Sequence, residues 1–483
     1  MTVRPPLPAD ARGAERWPFR QALVGSGLLA VGEIAARGLA FIAVALLTRR
    51  LGPEVFGIVG FATAVAGALS IAVNNGVGEI AARDVAADPS QTVRLYGAAA
   101  TVRVALGLAA WGVVLVIALL LPKAPEVRAV VALTGISFMA AAVDPSWALK
   151  ARERAAAVVL LLLATQATYA MGVFFLVAGP SQVTLVPVVQ FGSELIVGAT
   201  AMWLMLGRRL PGADWHGGRA LLSRARFLTA SRLARGLTVS FDMLMLGFVG
   251  AAVELGIYAA SYRVLFLLMV LGPAIGAAFL PVLTRANNAA PGELRRAASA
   301  ALTVALAVGA PLAVGAALVA PDLLQILFGA AYVSGATALR LLMLAGGCFI
   351  VHSTMGHVFL ARDQTRSLSA IHAVAAALTV GLNLWAIPRY GMAGAAAATL
   401  AAEGFTALAE VVILWRTIGM ASRLPLSIVA ATGLMGAAVA ALSGGPLALR
   451  VIAGAVVYAA GLASLGGAEL RGIARLVVAR PGR

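Results

Sequence analysis

The chain has 483 residues, of which 61% are hydrophobic and only 12% are charged. Soluble domains carry about 25% charged residues, so this composition excludes a water-soluble fold. The formal net charge of +17 comes from arginines scattered singly between apolar runs, which excludes a basic nucleic-acid-binding face. The single cysteine, Cys348, excludes an intrachain disulfide and a cysteine-based metal cluster.

Apolar runs recur from residue 20 almost to the C-terminus. Crossing the hydrocarbon core of a bilayer takes roughly 20 apolar residues, so we predict an all-α integral membrane protein with about fourteen transmembrane helices. The predicted spans are 21–47, 55–81, 95–121, 127–148, 156–178, 183–206, 222–249, 255–283, 297–327, 336–360, 367–387, 392–415, 425–443 and 447–467. The short loops leave no room for a soluble domain.

Basic residues predict the orientation of these spans. With the N-terminus inside, 25 Lys and Arg residues lie in cytoplasmic segments or at the span ends beside them, and 7 in outer loops or at the span ends beside them. Because cytoplasmic loops carry the excess of Lys and Arg, both termini are predicted to be cytoplasmic. The first span is too long for a cleaved signal peptide, so residues 1–20 form a retained tail in this prediction. The expected location is the inner membrane of a bacterial cell.

Two short repeats predict an internal duplication. Ala36–Leu39 in span 1 recurs as Ala234–Leu237 in span 7, and Ala151–Glu153 after span 4 is echoed by Ala361–Asp363 after span 10. Both pairs lie at equivalent places in the topology, as in transporters built from repeats. We therefore predict two six-helix lobes in parallel topology, with two more helices. The predicted domains are the N-terminal tail 1–20, an N-lobe 21–216, a C-lobe 217–416, and 417–483 with helices 13 and 14.

Charged residues inside spans 1 and 7 indicate where a polar pathway lies. Such a residue costs about 2.5–3.5 kcal/mol at a helix centre, so it normally faces a partner or a wet cavity. Glu33 and Arg37 are four residues apart, which puts them on one helix face and lets them pair. Asp242 lies seven residues after Arg235, again on one face. Both faces are predicted to line the pathway.

Two further arginines lie inside predicted spans: Arg103 in span 3 and Arg263 in span 8. Arg103 is equally well explained by a side chain that reaches the membrane interface. Among the deeper acids, Glu403 and Glu410 in span 12 lack an obvious partner in the sequence. His352 in span 10 is interpreted as a hydrogen-bonded packing residue in preference to a proton carrier.

Helix breakers occupy corresponding positions in spans 2 and 8. Asn75 and Gly76 interrupt span 2, and Gly272 and Pro273 interrupt span 8 at an offset close to that of the first repeat. Paired breaks of this kind are typical of the moving parts of transporters. They are predicted hinges, with simple packing kinks as the alternative.

Enzymatic motifs are missing from the sequence. It has no Gly-Lys dipeptide, which excludes a phosphate-binding loop of the ATPase type, and it has neither a HExxH pair nor a GxSxG elbow. We predict that the protein is not an enzyme and that it needs no cofactor and no metal site.

Three strings resemble the Wzx-like polysaccharide and O-antigen flippases of the multidrug/oligosaccharidyl-lipid/polysaccharide superfamily. They are LLTRRLGPEVFG at 46–57, LFGAAY at 327–332, and NLWAIPRYG at 383–391, which leads into Gly394. Their order and their placement among fourteen spans extend the resemblance over nearly the whole chain.

The resemblance implies two helix bundles around a central cavity with alternating access. It implies transport of an undecaprenyl-pyrophosphate-linked oligosaccharide between membrane leaflets, alongside a polysaccharide polymerase and glycosyltransferases. Cationic cavity residues would hold the pyrophosphate, a role that fits Arg37, Arg235 and Arg263, with Arg103 as a further candidate. Glu33 and Asp242 would carry a coupling ion, H⁺ or Na⁺, in that case.

Three alternatives remain open at this point. A lipid II flippase also has fourteen spans and a cationic cavity. A multidrug cation antiporter of the same superfamily would need acids for cationic drugs and about twelve spans, and the intramembrane arginines argue against it. A membrane-embedded polymerase or ligase would need a large outer loop, and the predicted loops are short.

Overall fold

The structure, a computed structural model, describes residues 16–74, 76–207, 211–290, 292–420 and 426–465; the side chains of 16–26, 30, 71–72, 227–228 and 230–239 are outside that description. All regular secondary structure in the described ranges is helical, which confirms the predicted all-α class. The chain forms two compact units, each made of two segments. The first unit is Met1–Leu51 with Phe61–Ser240, and the second is Gly52–Gly60 with Phe241–Arg483. The predicted lobe bounds at 216 and 416 stay predictions.

The first unit is an assembly of apolar helices packed through small side chains. Its helices are α1 (Arg16–Val73, outside 52–60), α2 (Val77–Ala87), α3 (Thr92–Leu120), α4 (Pro125–Thr134), α5 (Ser137–Ala142), α6 (Ser146–Ala151), α7 (Ala155–Leu176), α8 (Leu185–Leu206) and α9 (Trp215–Val249, as far as 240). Helix α3 packs against α2, α4 and α5. Ala81, Ala98 and Ala225 lie in one buried cluster. Small residues of this kind let helix backbones approach closely in a membrane.

The second unit is built around one central helix, α14. Its helices are the end of α9, α10 (Ala252–Met269), α11 (Leu271–Asn287), α12 (Glu293–Leu318), α13 (Ala320–Phe328), α14 (Ala336–Ala361), α15 (Thr365–Ile418), α16 (Leu426–Ala441) and α17 (Leu447–Leu465). Helix α14 contacts α10, α11, α12, α13 and α15, whereas α16 and α17 pack on each other and on α12. Short 3₁₀ turns at Pro89–Gln91, Pro180–Gln182 and Ala330–Gly335 connect helices in the two units.

The described residues contain 10 helical segments long and apolar enough to cross a membrane, with two shorter apolar helices at 240–249 and 426–441. One of the long segments, Thr365–Ile418, encloses two predicted spans, and another, Gly27–Ser70, covers most of the first two. Among the described residues, each of the fourteen predicted spans is mostly helical. In lipid this is required, since a helix satisfies its backbone hydrogen bonds internally.

Each of these long segments is divided by a glycine in a left-handed backbone conformation. Gly52 has φ of 72° within α1, and Gly391 has φ of 53° within α15. A side chain is strained at such φ values, so glycine is the residue that allows the chain to turn there. Both glycines belong to the strings that resemble the flippase family, which gives those strings a physical basis.

Arg50, in the first of those strings, caps a neighbouring helix. Its guanidinium donates to the carbonyl oxygens of Val173 (3.1 Å), Phe174 (2.7 Å) and Val177 (2.7 Å) at the end of α7. The last carbonyls of a helix have no partner within the helix, and a cation there also complements the helix dipole. Arg50 thus secures α1 to α7 in the first unit.

The repeat of Ala151–Glu153 and Ala361–Asp363 marks two turns with the same backbone. Glu153 (φ 55°) and Asp363 (φ 56°) are the two non-glycine residues with positive φ among the described ones. After each, the next amide reaches back five residues: Arg154 N to Leu149 O at 3.0 Å, and Gln364 N to Phe359 O at 2.9 Å. The two turns therefore share one backbone geometry, and the duplication stays a prediction.

Candidate functional site

The predicted pair in α1 forms in the structure. Arg37 Nη2 lies 2.9 Å from Glu33 Oε1, and the two side chains stay 42% and 57% exposed. A charged pair inside an apolar segment favours a water-accessible surface, because exposure to lipid is costly. The predicted role of Arg37 in substrate binding stays a prediction.

Arg103 occupies a different environment from Arg37. It is only 5% exposed and donates to Val73 O (3.3 Å), Asn74 Oδ1 (3.3 Å) and Ala141 O (2.5 Å). Val73 ends α1, so Arg103 supplies a donor where the helix leaves carbonyls unpaired. The structure thus gives Arg103 a role in holding the helix break between α1 and α2; its predicted contact with substrate stays a prediction.

We expect Arg103→Ala to lower stability markedly. Three acceptors would lose a charged donor, and one hydrogen bond to a charged group contributes about 1.5–3 kcal/mol. The melting temperature of the purified protein in detergent measures the effect. Arg94→Ala is the control, since Arg94 lies on the same helix and its bond to Gln91 is exposed. Equal melting temperatures for the two variants would contradict the proposed role.

The predicted hinges coincide with breaks between helices. Helix α1 ends at Val73 and α2 begins at Val77 after Gly76, while Asn75 lies outside the described residues. Helix α10 ends at Met269 and α11 begins at Leu271. Pro273 lacks an N–H, so the carbonyl four residues earlier loses its helical donor. A hinge function at both breaks stays a prediction.

Gly272, at the second helix break, also contacts a neighbouring helix. The Thr354 hydroxyl of α14 contacts its carbonyl oxygen at 3.3 Å. A Cβ added at Gly272 would come within 2.9 Å of the Ser353 Cβ. This close approach gives a packing reason for glycine at the second break.

Asp242 is buried in the second unit and accepts two hydrogen bonds. It is 4% exposed, the Tyr258 hydroxyl donates to its Oδ2 at 2.6 Å, and the Met243 amide donates to its Oδ1 at 2.7 Å. Both donors are neutral. A buried carboxylate with neutral donors favours a cation or a proton as its further partner.

Two other predicted cations lie on α10 and α9. Arg263 is half-buried on α10 of the second unit. Arg235 lies on α9, and its side chain is outside the described residues. Their predicted roles in substrate binding stay predictions.

A cluster of two histidines and two glutamates in the second unit went unrecognised in the sequence. Glu403 and Glu410, for which no partner was evident, lie beside His352 of α14 and His372 of α15. His352 Nε2 is 2.7 Å from Glu403 Oε2, and His372 Nε2 is 3.4 Å from Glu410 Oε1. Glu403 and Glu410 are seven residues apart, so the sequence placed them on one helix face. It did not show which helix that face meets.

Asp84, which lies outside the predicted spans, forms an ion pair with Arg224 at the start of span 7. Arg224 Nη1 and Nη2 lie 2.6 Å and 2.9 Å from the two Asp84 carboxylate oxygens, which joins α2 to α9 in the first unit. The hydrogen bond from Arg224 lowers the pKa of the Asp84 carboxyl below its ordinary value. The pair is thus kept at neutral pH and is lost only as pH falls through that lowered value.

Several solved structures share this fold. The lipid II flippase MurJ in an inward closed conformation superposes with a TM-score of 0.73 at 12% identity, covering 92% of this chain and 99% of that one. An inward-facing multidrug resistance transporter of the MATE family, in the MOP superfamily, gives a TM-score of 0.62 at 12% identity, over 79% and 94% of the two chains. The eukaryotic MATE transporter AtDTX14 gives 0.54 at 13% identity, over 83% and 96%. These likenesses confirm the predicted fold, an all-α arrangement of many apolar helices.

Sequence comparison identifies the family. No curated protein sequence matches the chain. The model of the family described as "Polysaccharide biosynthesis protein" matches residues 22–287. These residues include the first predicted hinge, the Glu33–Arg37 pair and Asp242. Because the match covers more than half of the chain, the protein belongs to the polysaccharide biosynthesis protein family, in agreement with the resemblance in its sequence.

Proposed function

We propose that the protein is a flippase for undecaprenyl-pyrophosphate-linked oligosaccharide repeat units. It would move them from the cytoplasmic to the outer leaflet of a bacterial inner membrane, for the biosynthesis of a surface polysaccharide. The observation that carries this proposal is the family match over residues 22–287. The likeness of the fold to transporters supports translocation as the mechanism.

The charges in the predicted spans suit a pyrophosphate-linked substrate. Arg37 would bind the diphosphate, with Arg235 and Arg263 as further cationic ligands, because guanidinium groups make bidentate contacts with phosphate oxygens. The exposure of Arg37 supports this role, since the donors not used by Glu33 are accessible. Arg103 is the weaker candidate, since its donors contact protein acceptors.

Transport would be driven without ATP. Moving one negative charge outward across an inside-negative membrane gains up to about 2.3 kcal/mol per 100 mV. Glu33 and Asp242 would bind a coupling ion, H⁺ or Na⁺, and the breaks near Gly76 and Pro273 would serve as hinges between inward and outward states. The excess of basic residues in alternate loops supports cytoplasmic termini.

Deletion of the gene is expected to abolish the surface glycan and to leave its lipid-linked precursor on the cytoplasmic face. Surface glycan is measured by immunoblot, and the precursor by lipid extraction and its accessibility to a membrane-impermeant glycosidase in inverted vesicles. Restoration by the wild-type gene controls for polar effects. Normal glycan display in the deletion strain would contradict the proposal.

Lipid II is the second candidate substrate, because the MurJ fold superposes over 92% of this chain. It is also a polyprenyl-pyrophosphate-linked sugar, so the same cations would serve. The two candidates separate in a strain depleted of its lipid II flippase. Rescue of growth by this protein would favour lipid II, and failure to rescue, together with glycan loss in the deletion strain, would favour the polysaccharide precursor.

A further inference from the structure

We propose that His352, His372 and Glu410 form a binding site for a divalent transition-metal ion of the Zn²⁺ type, with Glu403 as a supporting residue. The site lies within the second unit, on α14 and α15. Two imidazoles and a carboxylate are the ligand set typical of zinc in proteins with an open fourth position. The proposal does not depend on the identity of the transported substrate.

Glu410 is the observation that points to a bound cation. Its side chain is 0% exposed, and both carboxylate oxygens are buried without a hydrogen-bond partner. Nε2 of His372, 3.4 Å from Oε1 of Glu410, is also buried without a hydrogen bond. An uncompensated buried carboxylate costs several kcal/mol, and a metal ion between these atoms would satisfy all of them.

The spacing of the ligand atoms fits a metal ion. One ligand atom from each of His352, His372 and Glu410 lies within 4.8 Å of the other two. Two ligands on a tetrahedral Zn²⁺ with bonds of about 2.1 Å are about 3.4 Å apart. The contact of His372 with Glu410 already has this length, whereas that of His352 Nδ1 with Glu410 is 4.0 Å and would shorten slightly.

Glu403 directs His352 toward this site. Its Oε2 lies 2.7 Å from Nε2 of His352. Because an ionised carboxylate can only accept, Nε2 carries the proton and the lone pair remains on Nδ1, the nitrogen that faces Glu410. A carboxylate behind a ligating histidine is the usual supporting arrangement in zinc sites.

The helices bring these residues to one depth. His352 lies nine residues before the end of α14 at Ala361, His372 seven after the start of α15 at Thr365, and Glu410 eight before its end at Ile418. At 1.5 Å per residue all three are about 10–14 Å from the same membrane face. A bound ion would therefore join α14 to both halves of α15.

Zn²⁺ binding to the purified full-length protein, with its affinity tag removed, tests the proposal. We expect one equivalent of Zn²⁺ to bind in calorimetry and to raise the melting temperature, and Mg²⁺ to do neither, because Mg²⁺ prefers oxygen ligands. Glu410→Gln, His372→Gln and His352→Gln should each weaken binding at least tenfold, and Glu403→Gln roughly ten- to a hundredfold. His357→Gln is the matched control, since His357 lies on α14 and contacts the Ser353 carbonyl.

Co²⁺ provides a second measurement that is independent of folding stability. Tetrahedral Co²⁺ bound in place of Zn²⁺ should give visible absorption bands in the wild type and in His357→Gln, and these bands should be lost in Glu410→Gln. Equal Zn²⁺ affinity in the wild type and Glu410→Gln, or loss of binding only in a variant of His216 at the start of α9, would overturn the proposal. So would an unchanged melting temperature and no heat of binding in the wild type.

Discussion

Arg37→Ala is expected to abolish most of the transport activity and to leave the protein in the membrane. The substitution removes a cation that the diphosphate needs in a low-dielectric environment and leaves Glu33, 2.9 Å away, without its partner. The loss of one charge-assisted contact costs about 1.5–3 kcal/mol, which is roughly ten- to a hundredfold in rate. Arg235→Ala should have the same effect, because Arg235 occupies the repeated position in α9.

The measurement is surface glycan in the deletion strain complemented with each variant, normalised to the amount of protein in the membrane. Arg37→Lys should recover part of the activity, since it keeps the charge without the bidentate geometry. Arg389→Ala is the matched control, because Arg389 is an exposed arginine whose guanidinium bonds to Trp385 O on its own helix. Wild-type glycan display in both Arg37→Ala and Arg235→Ala would contradict the assignment of the binding site.

Asp242→Asn is expected to uncouple transport from the ion gradient. The carboxylate is 4% exposed and accepts from the neutral Tyr258 hydroxyl, so its charge is available to a proton or Na⁺. The amide keeps an oxygen for Tyr258, and the variant loses a buried charge, so its stability should be equal to or above that of the wild type. Gradient-driven uptake should fall at least tenfold.

Proteoliposomes with an imposed Na⁺ or pH gradient measure this effect. Tyr258→Phe serves as the companion variant, because it removes the hydrogen bond and keeps the carboxylate. It should retain gradient dependence with a smaller loss of rate. An Asp242→Asn protein that still responds to the imposed gradient as the wild type does would show that Asp242 does not carry the ion.

The two variants address different parts of the proposed cycle. Loss of transport in Arg37→Ala with normal gradient dependence of the residual activity would place Arg37 in substrate binding. Loss of gradient dependence in Asp242→Asn with substrate binding retained would place Asp242 in coupling. Together they separate a failed substrate site from a failed ion site.

Much of the fold could be predicted because its physical cause is local. Each predicted span is mostly helical among the described residues, since a helix satisfies its own backbone hydrogen bonds in lipid. The Glu33–Arg37 pair also formed as predicted, because residues four apart on a helix are neighbours whatever surrounds them. The repeat at Ala151–Glu153 and Ala361–Asp363 was visible for the same reason, since a tight turn is encoded by adjacent residues.

The partners of buried polar groups depended on tertiary structure. Arg103 meets acceptors that are about 30 and 38 positions away in the chain, and His352 meets Glu403 at a separation of 51. Helical periodicity tells which residues share a face, but it does not tell which helix that face meets.

The sequence by itself therefore determined the class of protein, the positions of the helices and the family, because length, hydrophobicity and short strings carry that information. Only the tertiary structure decided that Arg103 holds a helix break and that Glu403 and Glu410 meet two histidines. The physical reason is that a charge buried in a membrane protein is stabilised by whichever polar group a neighbouring helix brings within reach. Which polar group this is depends on how helices that are distant in the chain pack together.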